Sequence, residues 1–114
     1  MVRADRSTIR RNAENGGLPL ADAILRGLRT GLGAGQPAPT ILAICPNSEA
    51  VVKASMVAAK EAGAPLFFAA TLNQVDIDGG YTGWTQRDFV RLARELATEY
   101  GYDGPIVVGL DHGG

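Results

Sequence analysis

The sequence predicts an α/β fold, and three observations carry that expectation. Three short apolar runs, Ile41-Leu42-Ala43-Ile44-Cys45, Pro65-Leu66-Phe67-Phe68-Ala69-Ala70 and Pro105-Ile106-Val107-Val108-Gly109-Leu110, lack the alternation of a half-exposed strand and suit strands buried on both faces. Before and between them, apolar residues recur at helical spacing. The connections are short, so the order helix, strand, helix, strand, helix, strand sets the three strands parallel through right-handed crossovers. Composition agrees: of 114 residues, 46% are hydrophobic and 20% charged, a globular balance.

Each element has a local reason. Residues 1–17 carry Arg3, Asp5, Arg6, Arg10 and Arg11 and end in Asn15-Gly16-Gly17 without a sustained apolar period, which reads as a flexible arm closing in a turn. Residues 18–114 then form the three-stranded unit. From Pro19, a residue suited to a first turn, Ala21, Ile24, Leu25, Leu28 and Leu32 share one stripe while Asp22, Arg26 and Arg29 lie off it. Gly31, Gly33, Gly35, Pro37 and Pro39 stop that helix. After the first apolar run, Pro46-Asn47-Ser48 forms a turn and cap, and Val51, Ala54, Ser55, Ala58, Ala59 and Ala62 make a small-residue face opposite Glu49, Lys53 and Lys60. Gly63 ends this helix. Thr85-Gln86-Arg87-Asp88 has the form of a capping box, followed by the stripe Phe89, Leu92, Ala93, Leu96, Ala97 and Tyr100 and by a terminating Gly101. If the chain ends at Gly114, its two outer strands present unpaired backbone, which calls for self-association or a partner.

Charge and cysteine content exclude several function classes. Lys and Arg number 11 against 12 Asp and Glu, a net charge of −1, which argues against capture of nucleic acid or of an anionic membrane. No apolar run approaches the roughly 20 residues that span a bilayer, and no signal-peptide core follows the N-terminal arginines, so a cytoplasmic protein is expected. Cys45 stands alone, which leaves no internal disulfide and no Cys-x-x-Cys pair, and it reads as a small buried hydrophobe. Gly31-Leu32-Gly33-Ala34-Gly35 follows a helix and opens a strand, the reverse of a nucleotide-binding loop, and reads as a connection.

Parallel α/β folds place ligands at the carboxyl ends of their strands. Pro46-Asn47-Ser48, residues 71–74 and Asp111-His112 all leave that end. Asp76-Ile77-Asp78-Gly79 is not a calcium loop, because a third acidic ligand is missing and Arg87 stands where a bidentate Glu is needed. Residues 73–84 combine amides, carboxylates, Tyr81 and three glycines before a capped helix. Their backbone N–H groups are candidates to face an anion such as a sugar phosphate; the alternative is a long turn whose Trp84 packs over the helix start. Asp111-His112 holds the only His of the chain, and both side chains enter one pocket if the backbone turns there. Acid/base or metal chemistry competes with a His bonded to nearby backbone, and a catalytic zinc wants about three protein ligands.

The run Asn73-Gln74-Val75, Gly79-Gly80-Tyr81-Thr82-Gly83, Thr85, Asp88 and Phe89 resembles the motif of the class II D-tagatose-1,6-bisphosphate aldolase non-catalytic (Z-type) subunit family. Asp111-His112 resembles the pair that ends the third strand in that family; Leu110 and Gly113 depart from its pattern, where Gly and Leu are expected. The resemblance runs from Ile41 onward. It implies an aldolase-type (β/α)8 TIM barrel, of which this chain would be a fragment, the N-terminal part with three βα units and a preceding helix, since eight strands need about 250 residues. It further implies an accessory subunit of a class II tagatose-1,6-bisphosphate aldolase, a lyase of hexitol or amino-sugar catabolism. The partner would be a separate zinc-dependent catalytic subunit and the substrate a small sugar phosphate. The alternative is a metal-dependent ketose-phosphate aldolase or epimerase acting by itself. The site residues so implied are Asp111 for proton transfer and His112 as a zinc ligand with the rest of the ligand set elsewhere. Asn73, Gln74, Gly80, Tyr81 and Thr82 are the candidate substrate contacts. A kinase reading of such relatives finds no phosphate-cradling P-loop here.

Overall fold

A computed structural model describes residues 6–29, 35 and 40–112. Within them the order is α1 (Arg6–Gly16), α2 (Leu20–Arg29), β1 (Ala43–Ile44), α3 (Glu49–Ala62), β2 (Leu66–Ala70), α4 (Gln86–Tyr100) and β3 (Ile106–Leu110). The three strands form one parallel sheet in the order β1-β2-β3. Ile44 pairs with Phe68, and β2 runs in register with β3 from Leu66 opposite Ile106 to Ala70 opposite Leu110. Each crossover is a helix, as the apolar periods predict.

Local chemistry fixes the helix ends. Ser48 Oγ accepts the N–H of Val51 at 3.2 Å and caps α3, and the Glu49 and Lys53 side chains pair one turn apart at 3.3 Å. At α4 the capping box is complete: Thr85 Oγ1 accepts from Asp88 N and Asp88 Oδ2 accepts from Thr85 N, each at 3.1 Å. Gly63 and Gly101 close α3 and α4 in the left-handed conformation, at φ 66° and 69°.

The core lies between β2 and the inner faces of α3 and α4. Val52, Met56, Leu66, Phe68, Val75, Phe89 and Leu96 are buried there. Phe89 stands edge-on to Phe68 with ring centroids 5.2 Å apart, and Trp84 leans on it from outside at 5.8 Å. At the amino end of the strands the buried Tyr102 hydroxyl lies 2.8 Å from Ala64 O and 3.0 Å from Pro105 O, joining the turns that enter β2 and β3. Lys60 Nζ donates to Tyr100 O at 2.8 Å and ties α3 to the end of α4.

Four expectations need correction. The segment read as an irregular arm holds helix α1, whose Ala13 is buried and accepts the N–H of Leu18 at 2.9 Å. The buried face of α3 is Val52, Ser55, Met56 and Ala59, not the row of Ala54, Ala58 and Ala62, because the larger Val52 and Met56 remove more apolar surface from water. Only β2 is deeply buried. β1 and β3 are the edges of this sheet, and Val108 and Leu110 remain 40% and 56% exposed. Cys45, just past the end of β1, is exposed rather than buried. Leu32 and most of the glycine-rich connection, residues 31–34, lie outside the described residues, as does the Gly113-Gly114 end. Among the described residues no helix is long and apolar enough to cross a membrane.

Candidate functional site at the carboxyl rim of the sheet

The register decides which residues meet. Ala70 and Leu110 are partners, and Asp111 continues the ladder by donating its N–H to Ala70 O at 2.9 Å. The loop after β2 and the Asp111-His112 turn after β3 therefore leave the sheet side by side, with the α3 cap following the end of β1 on the same rim.

The loop is built on its own backbone. Gln74 and Val75 both donate to Thr71 O at 3.0 Å, and Gln74 Oε1 accepts the N–H of Thr71 at 3.0 Å, so the amide side chain folds back over the start of the loop. That side chain is buried, with the residue only 8% exposed. Val75 and Trp84 form a bridge, with Asp76 N donating to Trp84 O at 3.2 Å, and the excursion between them, residues 76–83, closes at its base. Thr82 then bolts the two arms together: its hydroxyl donates to Gln74 O at 2.6 Å and accepts the N–H of Trp84 at 3.2 Å. Tyr81 N donates to Asn73 O at 2.8 Å.

Gly80 sits inside this closure at φ 51°, where a Cβ would lie 2.6 Å from Gln74 O and 2.8 Å from Asn73 O. Only glycine fits, by conformation and by space. Among the side chains the loop exposes are those of Asn73, Ile77, Asp78 and Tyr81, the last residue 63% exposed.

This geometry corrects one expectation. The loop amides do not form an anion cradle. Ile77 N donates to Asp76 Oδ1 at 2.7 Å, Gly80 N to Asp78 Oδ1 at 3.1 Å and Gly79 N to Asp76 O at 2.9 Å, while those of Tyr81, Thr82 and Trp84 are also used inside the loop. Two carboxylates already take the place of the anion. The packing of Trp84 over the start of α4 holds as expected. Sequence reasoning missed the folded-back Gln74 side chain, although adjacent Gly79 and Gly80, both at positive φ, are the signal of so tight a return.

At the end of β3 the backbone turns at His112, whose φ of 54° is unusual for a residue with a Cβ. The turn brings His112 Nε2 to 3.7 Å from Asp111 Oδ2, with the imidazole 83% and the carboxylate 43% exposed. Asp111 and His112 thus share one side of the rim. Among the described residues no hydrogen bond or ion pair joins them to the loop, and no three of His, Cys, Asp and Glu converge as a metal site requires. The described residues alone do not fit a zinc ion. A cavity of about 250 Å3 opens beside the rim between Val75, Phe89, Val108 and Leu110, on the α4 side, and none of the predicted site residues lines it.

Parallel βα units with polar groups gathered at the carboxyl ends of the strands define an α/β protein of the kind that binds ligands at that rim. Residues 31–114 match the family described as D-tagatose-1,6-bisphosphate aldolase subunit GatZ/KbaZ-like, and the chain belongs to that family. It is 38% identical over 91 residues to a D-tagatose 6-phosphate 4-epimerase from Agrobacterium fabrum, covering 79% of this chain and 21% of the relative. Among solved structures it is similar to a probable tagatose 6 phosphate kinase from Sinorhizobium meliloti 1021, with a TM-score of 0.55 and 39% identity over 65% of this chain and 19% of that one. The chain thus spans about a fifth of the length of these relatives, and its three parallel strands are part of an aldolase-type barrel.

Proposed function

We propose that this chain supplies part of the ligand rim of a cytoplasmic protein that handles a tagatose phosphate, as the accessory subunit of a class II tagatose-1,6-bisphosphate aldolase. The observation that carries the reading is the placement of the exposed Asp111-His112 pair beside the motif loop on one carboxyl rim, in a chain of the aldolase-subunit family. In this reading Tyr81 and Asn73 meet the sugar. Were the protein instead an enzyme in its own right, the Asp111 carboxylate would move a proton at a carbon of the substrate. A zinc role for His112 needs further ligands from residues other than those described.

A second reading has a specific observation in its favour: the relative at 38% identity is named as an epimerase. The protein would then act by itself on D-tagatose 6-phosphate. One experiment separates the two. The purified protein is assayed with D-tagatose-1,6-bisphosphate, with and without a catalytic aldolase subunit, and separately with D-tagatose 6-phosphate for epimerisation, each with and without added zinc. Cleavage that rises only when both subunits are present supports the accessory reading. Epimerisation by the protein alone, lost in His112→Ala, replaces it with the second, and no response to any tagatose phosphate overturns both.

A further inference from the structure

We propose that the motif loop divides its work: Gln74, Gly80 and Thr82 are positioning residues that never touch the ligand, and Asn73 and Tyr81 are the groups that do. The inference rests on the tagatose-phosphate reading and assigns roles within its site.

Three observations lead to it. First, both oxygens of Gln74 and the Thr82 hydroxyl are engaged within the loop. Gln74 Oε1 holds Thr71 N, Gln74 O receives the Thr82 hydroxyl at 2.6 Å, and the same hydroxyl accepts Trp84 N. Gln74 is also buried, with the residue only 8% exposed. Second, Gly80 is required by the close approach of two carbonyls rather than by any outside group. Third, the backbone closure has one evident product. It fixes Tyr81 N on Asn73 O at 2.8 Å, which joins the backbones of two residues with exposed side chains on different arms of the loop. A face of carbon-bound hydrogens stacks on such a ring and hydroxyls bond to such an amide, which together are the chemistry of a sugar. The internal use of most loop amides favours side chains as the loop's means of holding that ligand. Holding both residues in place beforehand lowers the ordering cost of binding.

The test uses the protein with D-tagatose 6-phosphate as the probe, and reads two quantities for each variant: the dissociation constant by calorimetry and amide hydrogen exchange across residues 71–84. Thr82→Val keeps the shape and removes the hydroxyl. It is expected to speed exchange at the Tyr81 and Trp84 amides about tenfold or more and to weaken binding about tenfold, with both restored in Thr82→Ser. Tyr81→Ala is expected to weaken binding by a similar factor while exchange elsewhere in the loop stays as in the wild type. Weakened binding in Thr82→Val with unchanged exchange means that Thr82 touches the ligand and overturns the division. Faster exchange with unchanged binding means that the loop positions nothing for this ligand, and overturns it equally. Failure of the underlying function is distinguishable, since it appears as no binding by the wild type, whereas failure of this inference appears only among the variants.

Discussion

Replacement of Gly80 by alanine tests the loop most severely. Two costs add. At φ 51° a residue with a Cβ gives up about 1–2 kcal/mol relative to glycine. The new Cβ would also fall 2.6 Å from Gln74 O, 2.7 Å from Gln74 C and 2.8 Å from Asn73 O, all backbone atoms with no rotamer to escape into. Overpacking of this kind costs about 1–3 kcal/mol, so Gly80→Ala should lose about 2–5 kcal/mol. Gly83 is the control. It too has positive φ, 82°, but nothing lies within 4 Å of a Cβ built there, so Gly83→Ala should lose only the conformational part, about 1–2 kcal/mol. Alanine also stiffens the unfolded chain, but does so equally at both sites and cancels in the comparison. Urea unfolding of the two variants reads the difference, and hydrogen exchange at Tyr81 reads the same damage locally. Equal loss in both variants would refute the claim that the carbonyls of Asn73 and Gln74 close around Gly80.

Further substitutions address the core, the amino end and the helix cap. Phe89→Ala removes the ring between Phe68 and Trp84 at a fully buried position and should cost about 3–5 kcal/mol in denaturant unfolding. Tyr102→Phe deletes the hydroxyl shared by Ala64 O and Pro105 O and should cost about 1–2 kcal/mol, with little effect on ligand binding at the opposite end of the strands. Thr85→Ala breaks the capping box, with a loss of about 1 kcal/mol expected by thermal melt. The Thr85 side-chain and backbone hydrogen bonds hold the Asp88 carboxyl below its ordinary 3.8. Its contribution is therefore present above 3.8 and fades as pH falls through the lowered value, so the acid limb of a stability-against-pH curve should be shallower in Thr85→Ala than in the wild type.

How much of this was legible in the sequence depended on how local its cause was. The capping box at Thr85 and Asp88, the Ser48 cap and the Gly63 and Gly101 stops need only neighbours within a turn, and all four stand where the residues predict. The buried face of α3 was not legible in phase. Val51, Val52, Ala54, Met56, Ala58 and Ala59 offer apolar atoms nearly all round, and which of them point inward is settled by the packing of Val52 and Met56, not by period. Helix α1 escaped notice for the opposite reason, since its sequence is polar on most sides and only Ala13 among its described side chains is buried. Cys45 followed the apolar run into an assumed interior, yet only Ala43 and Ile44 of that run pair with β2, at the sheet edge.

The rim shows the same divide at the level of chemistry. Residue types nominated the candidate site, because an aromatic, an amide and an Asp-His pair at the ends of parallel strands are few in so apolar a chain. Their roles required coordinates, since glutamine and threonine are equally able to bond a sugar or a backbone carbonyl, and the choice follows from which partner arrives first. Here the chain returns upon itself at Gly80, and the carbonyl of Gln74 meets the Thr82 hydroxyl at 2.6 Å. A loop so closed is stiff by construction. Among the described residues the Asp111-His112 pair on the same rim is the reverse, its side chains exposed and its backbone joined to the sheet by the Asp111 N–H.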